Sequence, residues 1–270
     1  MNLKPFLMLS ALLLAGAGND PSPKYWILQG PRLDALAMVN SPDAVRFLSQ
    51  PGRIVIYPAI AAVPAPSSWH VILWRKFGSL ALFQEAIDRG KVGNGVQIVG
   101  YDPEKWQFTP DNEQADPAGS MIAFAKLAHA HGYKVIVTPA ENLMTRNGPG
   151  RNKFQAFLDS GIAKQVAPYV DFYHIQAQGL QHNIDGPEPS YRSFVRDMIA
   201  QIHGANPNCI VTVGISTNTP GGGGGPTSPQ DIAAAVRAVD PMVSGYWMNV
   251  VHDDAQTAVD ALKLIDSTPQ

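Results

Sequence analysis

Apolar and β-branched residues recur along the chain in short runs: Tyr25 to Gln29, Arg53 to Tyr57, His70 to Trp74, Val96 to Tyr101, Lys134 to Thr138, Asp171 to Gln176, Ile210 to Ile215 and Gly245 to Val250. These eight runs read as strands. Between most of them the apolar positions fall at helical spacing, over Ser79 to Arg89, Ala118 to His131, Lys153 to Val166, Tyr191 to His203, Pro229 to Val239 and Asp254 to Leu264. The punctuation agrees: Ser79, Ser190 and Ser228 stand where N-caps belong, and Gly90, Gly132 and Gly204 where a left-handed residue closes a helix. Strands alternating with helices pair in parallel, and their nearly unbroken apolar character calls for cover on both faces. Eight units predict one closed (β/α)8 barrel, a TIM barrel. The stretch between Tyr57 and His70 holds Pro58, Pro64, Pro66 and small residues, so the second crossover is expected to lack its helix. A doubly wound open sheet is the competing α/β architecture.

The first residues have a different pattern. Lys4 gives a charged start, Phe6 to Leu14 an apolar stretch, and Ala15-Gly16-Ala17 a small-residue end. That layout predicts a secretory signal peptide over 1–17, followed by a linker over 18–24 and the barrel over 25–270. The apolar stretch falls short of the ~20 residues that span a bilayer. A secreted or periplasmic protein without stable membrane insertion is expected.

Composition narrows the partners. The chain has 20 Lys plus Arg against 22 Asp plus Glu, a formal net charge of −2, and 45% hydrophobic residues. This is globular arithmetic without the basic excess of a nucleic-acid binder, and no nucleic-acid partner is expected. Cys209 is the only cysteine, so no intrachain disulfide forms. His129 and His131 stand two residues apart on one predicted helix and so face different sides, and no His-Glu-x-x-His, Gly-x-Ser-x-Gly or strand-linked Gly-x-Gly-x-x-Gly string occurs, which predicts neither a metal nor a cofactor. The five glycines from Gly221 to Gly225 lack the Lys-Ser/Thr ending of a phosphate loop.

In a barrel the active site lies at the C-terminal ends of the strands. The fourth strand ends Gly100-Tyr101-Asp102-Pro103-Glu104-Lys105-Trp106. Alternation points Asp102 and Glu104 together toward the mouth, about 6–7 Å apart along the strand, and turns Tyr101 to the helices. Like charges at that range raise one pKa, which suits one carboxyl to donate a proton while an ionised neighbour assists. Glu141, after the fifth strand, is the third candidate acid. His174, Gln176 and Gln178 share one face at the end of the sixth strand and suit hydroxyl or amide recognition. Tyr246, Trp247 and Asn249 on the eighth strand, Trp74 on the third and Trp106 past the fourth complete the candidate binding residues, the indoles as stacking surfaces for sugar rings. Each has a plainer reading, as a turn, a cap or core.

The Asp102-Pro103-Glu104 ending, with Gln178 near the sixth strand and Trp247 on the eighth, resembles the layout of chitinase-like glycoside hydrolases of family 18. The resemblance implies a carbohydrate substrate, with Glu104 as general acid and Asp102 positioning the substrate's N-acetyl group. The family's two earlier aspartates fall on Gln97 and Val99, and glutamines stand where its tyrosine-aspartate pair would follow the sixth strand. The other large class of retaining barrel glycosidases places a nucleophilic Glu after the seventh strand, where this chain has Ser216, Thr217 and Asn218. The expected function is therefore an exported glycoside hydrolase. Its second step is open to substrate assistance, attack by Asp102 or Glu141, or a water activated by either. The rival readings are a non-catalytic carbohydrate- or lipid-binding barrel and a metal-dependent phosphodiesterase.

Overall fold

In a computed structural model, which describes residues 22–29, 35–144, 152–218, 226–251 and 254–267, eight parallel strands close into one barrel in sequence order. They are β1 (Lys24–Leu28), β2 (Arg53–Pro58), β3 (Val71–Phe77), β4 (Ile98–Tyr101), β5 (Lys134–Val137), β6 (Phe172–Ile175), β7 (Ile210–Ser216) and β8 (Gly245–Asn249). The last strand pairs with the first, Trp26 beside Tyr246 and Ile27 beside Trp247. The open-sheet alternative is thereby excluded. The expected signal peptide and the glycine run lie outside the described residues, as does most of the expected linker. Lys24, assigned to that linker, is the first residue of β1.

Period-two alternation sorts the strand residues into two cores. Ile27, Ile56, Trp74, Ile98, Ile136, Phe172 and Trp247 fill the barrel interior, while the opposite parity, including Trp26, Val99, Tyr101, Tyr173 and Tyr246, packs under the helices. The expected caps at Ser79, Ser190 and Ser228 are present, each side chain accepting from a backbone N–H in the first turn. Gly90 and Gly132 take positive φ just past their helices. Gly204 does not, because its helix runs on to Ala205 and closes at Asn206. The helical pattern over Lys153 to Val166 is two helices broken at Gly161, whose φ is 62°. As expected, no helix joins β2 to β3; the first crossover carries two short ones, Ala35–Asn40 and Pro42–Leu48. Among the described residues no helix is long and apolar enough to cross a membrane.

Candidate active site

The C-terminal mouth of the barrel holds a cavity of about 320 Å³, and strand register decides what faces it. Lys76 on β3 lies level with Gly100 on β4. Because Gly100 has no side chain, Lys76 extends past it and its Nζ reaches Asp102 Oδ2 at 2.5 Å. Tyr101 is level with Val137, so the next residues on each strand, Asp102 and Thr138, are neighbours; Thr138 Oγ1 donates to Asp102 Oδ1 at 2.5 Å. Gln176 Nε2 donates to the Thr138 carbonyl at 2.8 Å and reaches Asp102 Oδ1 at 3.4 Å. Both oxygens of Asp102, only 4% exposed, are thus engaged.

Glu104 sits on the loop after β4, and hydrogen bonds fix that loop from both sides. Glu104 N and the Trp106 indole N–H both donate to Thr109 Oγ1, at 3.2 and 2.9 Å. Ala140 N donates to the Pro103 carbonyl at 3.0 Å, and Lys105 N donates to Asn142 Oδ1 at 2.9 Å, which ties the β4 loop to the β5 loop. The half-buried Glu104 carboxyl lines the cavity. Desolvation is the main cause that raises its pKa to about 7; the Asp102 and Glu141 charges add to the rise and Lys76 opposes it. Glu141 begins the short turn after β5, and its carboxylate is ion-paired with Lys153.

His174 is 3% exposed, and its pKa falls to about 3, first through burial and then through the Lys76 charge, so the ring is neutral. It is level with Thr212, whose Oγ1 lies 3.0 Å from His174 Nδ1. Its ring packs against Trp247, with centroids 4.8 Å apart. Lys76 Nζ lies over both Trp247 and Trp106, 5.7 and 6.0 Å from the ring centroids.

Nine sequence-derived residues line this one cavity: Asp102, Glu104, Trp106, Glu141, His174, Gln176, Gln178, Trp247 and Asn249. Two expected binding residues do not. Tyr246 has the opposite parity to Trp247 and is buried under the helices, its hydroxyl donating to Asp240 Oδ1 at 2.7 Å. Trp74 faces inward but lies a layer lower, because β3 continues to Phe77; its indole N–H donates to the Leu28 carbonyl at 3.1 Å and its ring meets that of Trp247 edge-on. The same extension of β3 hides Lys76 from a reading that ends the strand at Trp74. Lys153 and Gln29 also line the cavity and carried no sequence signal beyond their places at a helix start and a strand end. Among the described residues no three His, Cys, Asp or Glu side chains are grouped to hold a metal.

No protein-family model and no curated protein matches the chain. Among solved structures it is similar to a curdlan-specific exo-beta-1,3-glucanase of family GH128, subgroup III, from Blastomyces gilchristii. The TM-score is 0.52 at 13% identity, over 90% of this chain and 97% of that one. It is also similar to a sugar phosphate isomerase/epimerase from Parabacteroides distasonis, with a TM-score of 0.50 at 11% identity, over 93% of this chain and 99% of that one. At such identities the likeness is one of fold, and one fold here carries two kinds of reaction. The chain is a TIM barrel, shared with a glycoside hydrolase and with an isomerase.

Proposed function

We propose that the protein is an exported glycoside hydrolase acting on a polysaccharide or oligosaccharide. One observation carries the reading: three carboxyl groups from the ends of β4 and β5 surround one cavity in unlike surroundings. Glu104 has its pKa raised to about 7, whereas Asp102 and Glu141 are each ion-paired with a lysine. A pair of carboxyls, one protonated and one ionised, is what glycosidic cleavage needs.

Glu104 then donates its proton to the departing glycosidic oxygen. Glu141 is the second carboxylate: it either attacks the anomeric carbon, to be displaced later by water, or removes a proton from water that attacks directly. Asp102 is disfavoured for that step because Lys76, Thr138 and Gln176 occupy both its oxygens. Its role is to position Lys76 and Gln176, a departure from the N-acetyl contact that the family 18 resemblance implies. Trp106, partly exposed at the mouth, offers a face to a sugar ring, whereas Trp247 is 5% exposed and packed by His174, Trp74 and Lys76. The apolar stretch from Phe6 to Leu14 supports export, and a mature protein beginning after Ala17 is the expected N-terminal sequence.

The test is reducing-end release from a panel of polysaccharides by the wild type and by Glu104→Gln. The variant should lose roughly two or more orders of magnitude in kcat while retaining its ligand. Turnover that survives the substitution, or a wild type that cleaves nothing yet binds sugar, overturns the catalytic assignment in favour of a binding barrel. Activity that a chelator abolishes points to the phosphodiesterase reading instead.

A further inference from the structure

The charges of the cavity cancel among themselves. Lys76 is satisfied by Asp102 and by two indole faces, and Lys153 by Glu141. His174 is neutral, as is Glu104 while protonated. Among the described lining residues no cation is left to receive an anionic substituent. A uronate, sulfate or phosphate entering this space would give up its hydration for no opposite charge.

Two polar atoms of the same wall are buried without a partner among the described residues: Gln178 Oε1, an acceptor, and Trp247 Nε1, a donor. Buried polar atoms in that state are uncommon and call for an explanation. Gln178 Oε1 is pressed onto the backbone of Gly214, where a Cβ would stand 2.3 Å from it and 3.4 Å from His174 Nε2. The missing side chain at Gly214 is therefore what admits the Gln178 amide. An ionised carboxylate only accepts hydrogen bonds and an ammonium only donates them; a hydroxyl does both. An acetamido group also does both, so these atoms set neutral sugars apart from charged ones and not N-acetyl sugars from plain ones.

We infer that the cavity recognises a neutral, hydroxyl-bearing sugar unit, with one hydroxyl donating to Gln178 Oε1 over Gly214. This rests on the proposed carbohydrate function and names the substrate class of that site. Gln178 is then a specificity residue and Gly214 the position that makes room for it.

The experiment titrates the folded Glu104→Gln protein with hexasaccharides of equal length: neutral glucose, mannose and xylose oligomers, hexagalacturonate, chitohexaose and a glucosamine hexamer. The expected result is that a neutral oligomer binds about tenfold or more tighter than the charged ones. Adding Gln178→Leu, which removes the acceptor at similar size, should weaken that binding by roughly tenfold to a hundredfold. Gly214→Ala should act in the same direction, and Gln178→Leu stands alone if Gly214→Ala does not fold. Tightest binding of hexagalacturonate or the glucosamine oligomer overturns the inference, as does undiminished binding by Gln178→Leu or no binding of any oligomer. Wild-type hydrolysis of the same ligands separates the two levels. Neutral binding without cleavage keeps the inference and removes the hydrolase, whereas preferred cleavage of a charged oligomer keeps the hydrolase and removes the inference.

Discussion

Burial and the neighbouring Asp102 carboxylate hold Glu104 protonated up to about pH 7, while Lys76 works in the other direction. A proton donor with that pKa gives a kcat/KM that falls about tenfold per pH unit above neutrality. Lys76→Met removes the opposing cation, so the alkaline limb should move to higher pH, as rate measurements at fixed substrate will show. The same variant leaves Asp102 buried without its counter-charge and should cost about 2–3 kcal/mol of stability by denaturant titration, tempered because Lys76 is partly exposed. An unshifted limb would remove Lys76 from the electrostatics of the site. At this scale the sequence was readable where alternation applies. Tyr246 and Trp247, adjacent on one strand, cannot both face inward, whereas Glu104 and Gln178 lie past the ends of β4 and β6 and line the cavity from loop and turn backbone that alternation does not govern. Lys76 was hidden by a strand end placed three residues early.

Gly100 shows how a strand, rather than a residue, builds the floor of the cavity. A Cβ there would lie 2.6 Å from the Trp74 ring, and Trp74 meets Trp247 edge-on with centroids 5.2 Å apart. Gly100→Ala therefore pushes Trp74 toward the indole that lines the site. Overpacking of a filled interior costs about 1–3 kcal/mol, and the floor should shift with it. The expected outcome is a lower thermal midpoint together with weakened oligosaccharide binding; a variant as stable and as tight-binding as the wild type would show that the layer below does not set the floor. The helices were legible because their caps are local chemistry, as at Ser190 and Ser228. The break at Gly161 was not, since the apolar spacing continues through it. Nor were the short helices of the first crossover, which have too few turns to show a period.

Across the whole molecule the eight-fold alternation was enough to foretell the closed barrel. The position of the two buried titrating groups adds something that no pattern showed: they load the fold from opposite sides of the pH scale. Glu104 rises from 4.5 to about 7 on folding, so between those values the folded state keeps a proton that the unfolded chain has lost, and stability falls as pH rises. His174 drops from 6.5 to about 3, so over that window the unfolded chain holds the extra proton, and stability falls as pH falls. From about 4.5 to 6.5 the two slopes oppose one another and their joint contribution is nearly flat. Substitution separates them. His174→Gln should lose the acid-side penalty, which for so deeply buried a ring is on the order of 4 kcal/mol between pH 6.5 and 3. The melting temperature of the variant relative to wild type should therefore climb steadily as pH is lowered. Glu104→Gln should do the reverse, gaining on the wild type as pH rises from 4.5 to 7 and then holding that lead. Melting curves of the three proteins across this range, taken in one buffer system, would show two difference plots of opposite slope. Parallel plots would mean that one of the groups is solvated in the folded protein, and a flat plot for Glu104→Gln would withdraw the dehydrated carboxyl on which the proposed chemistry stands.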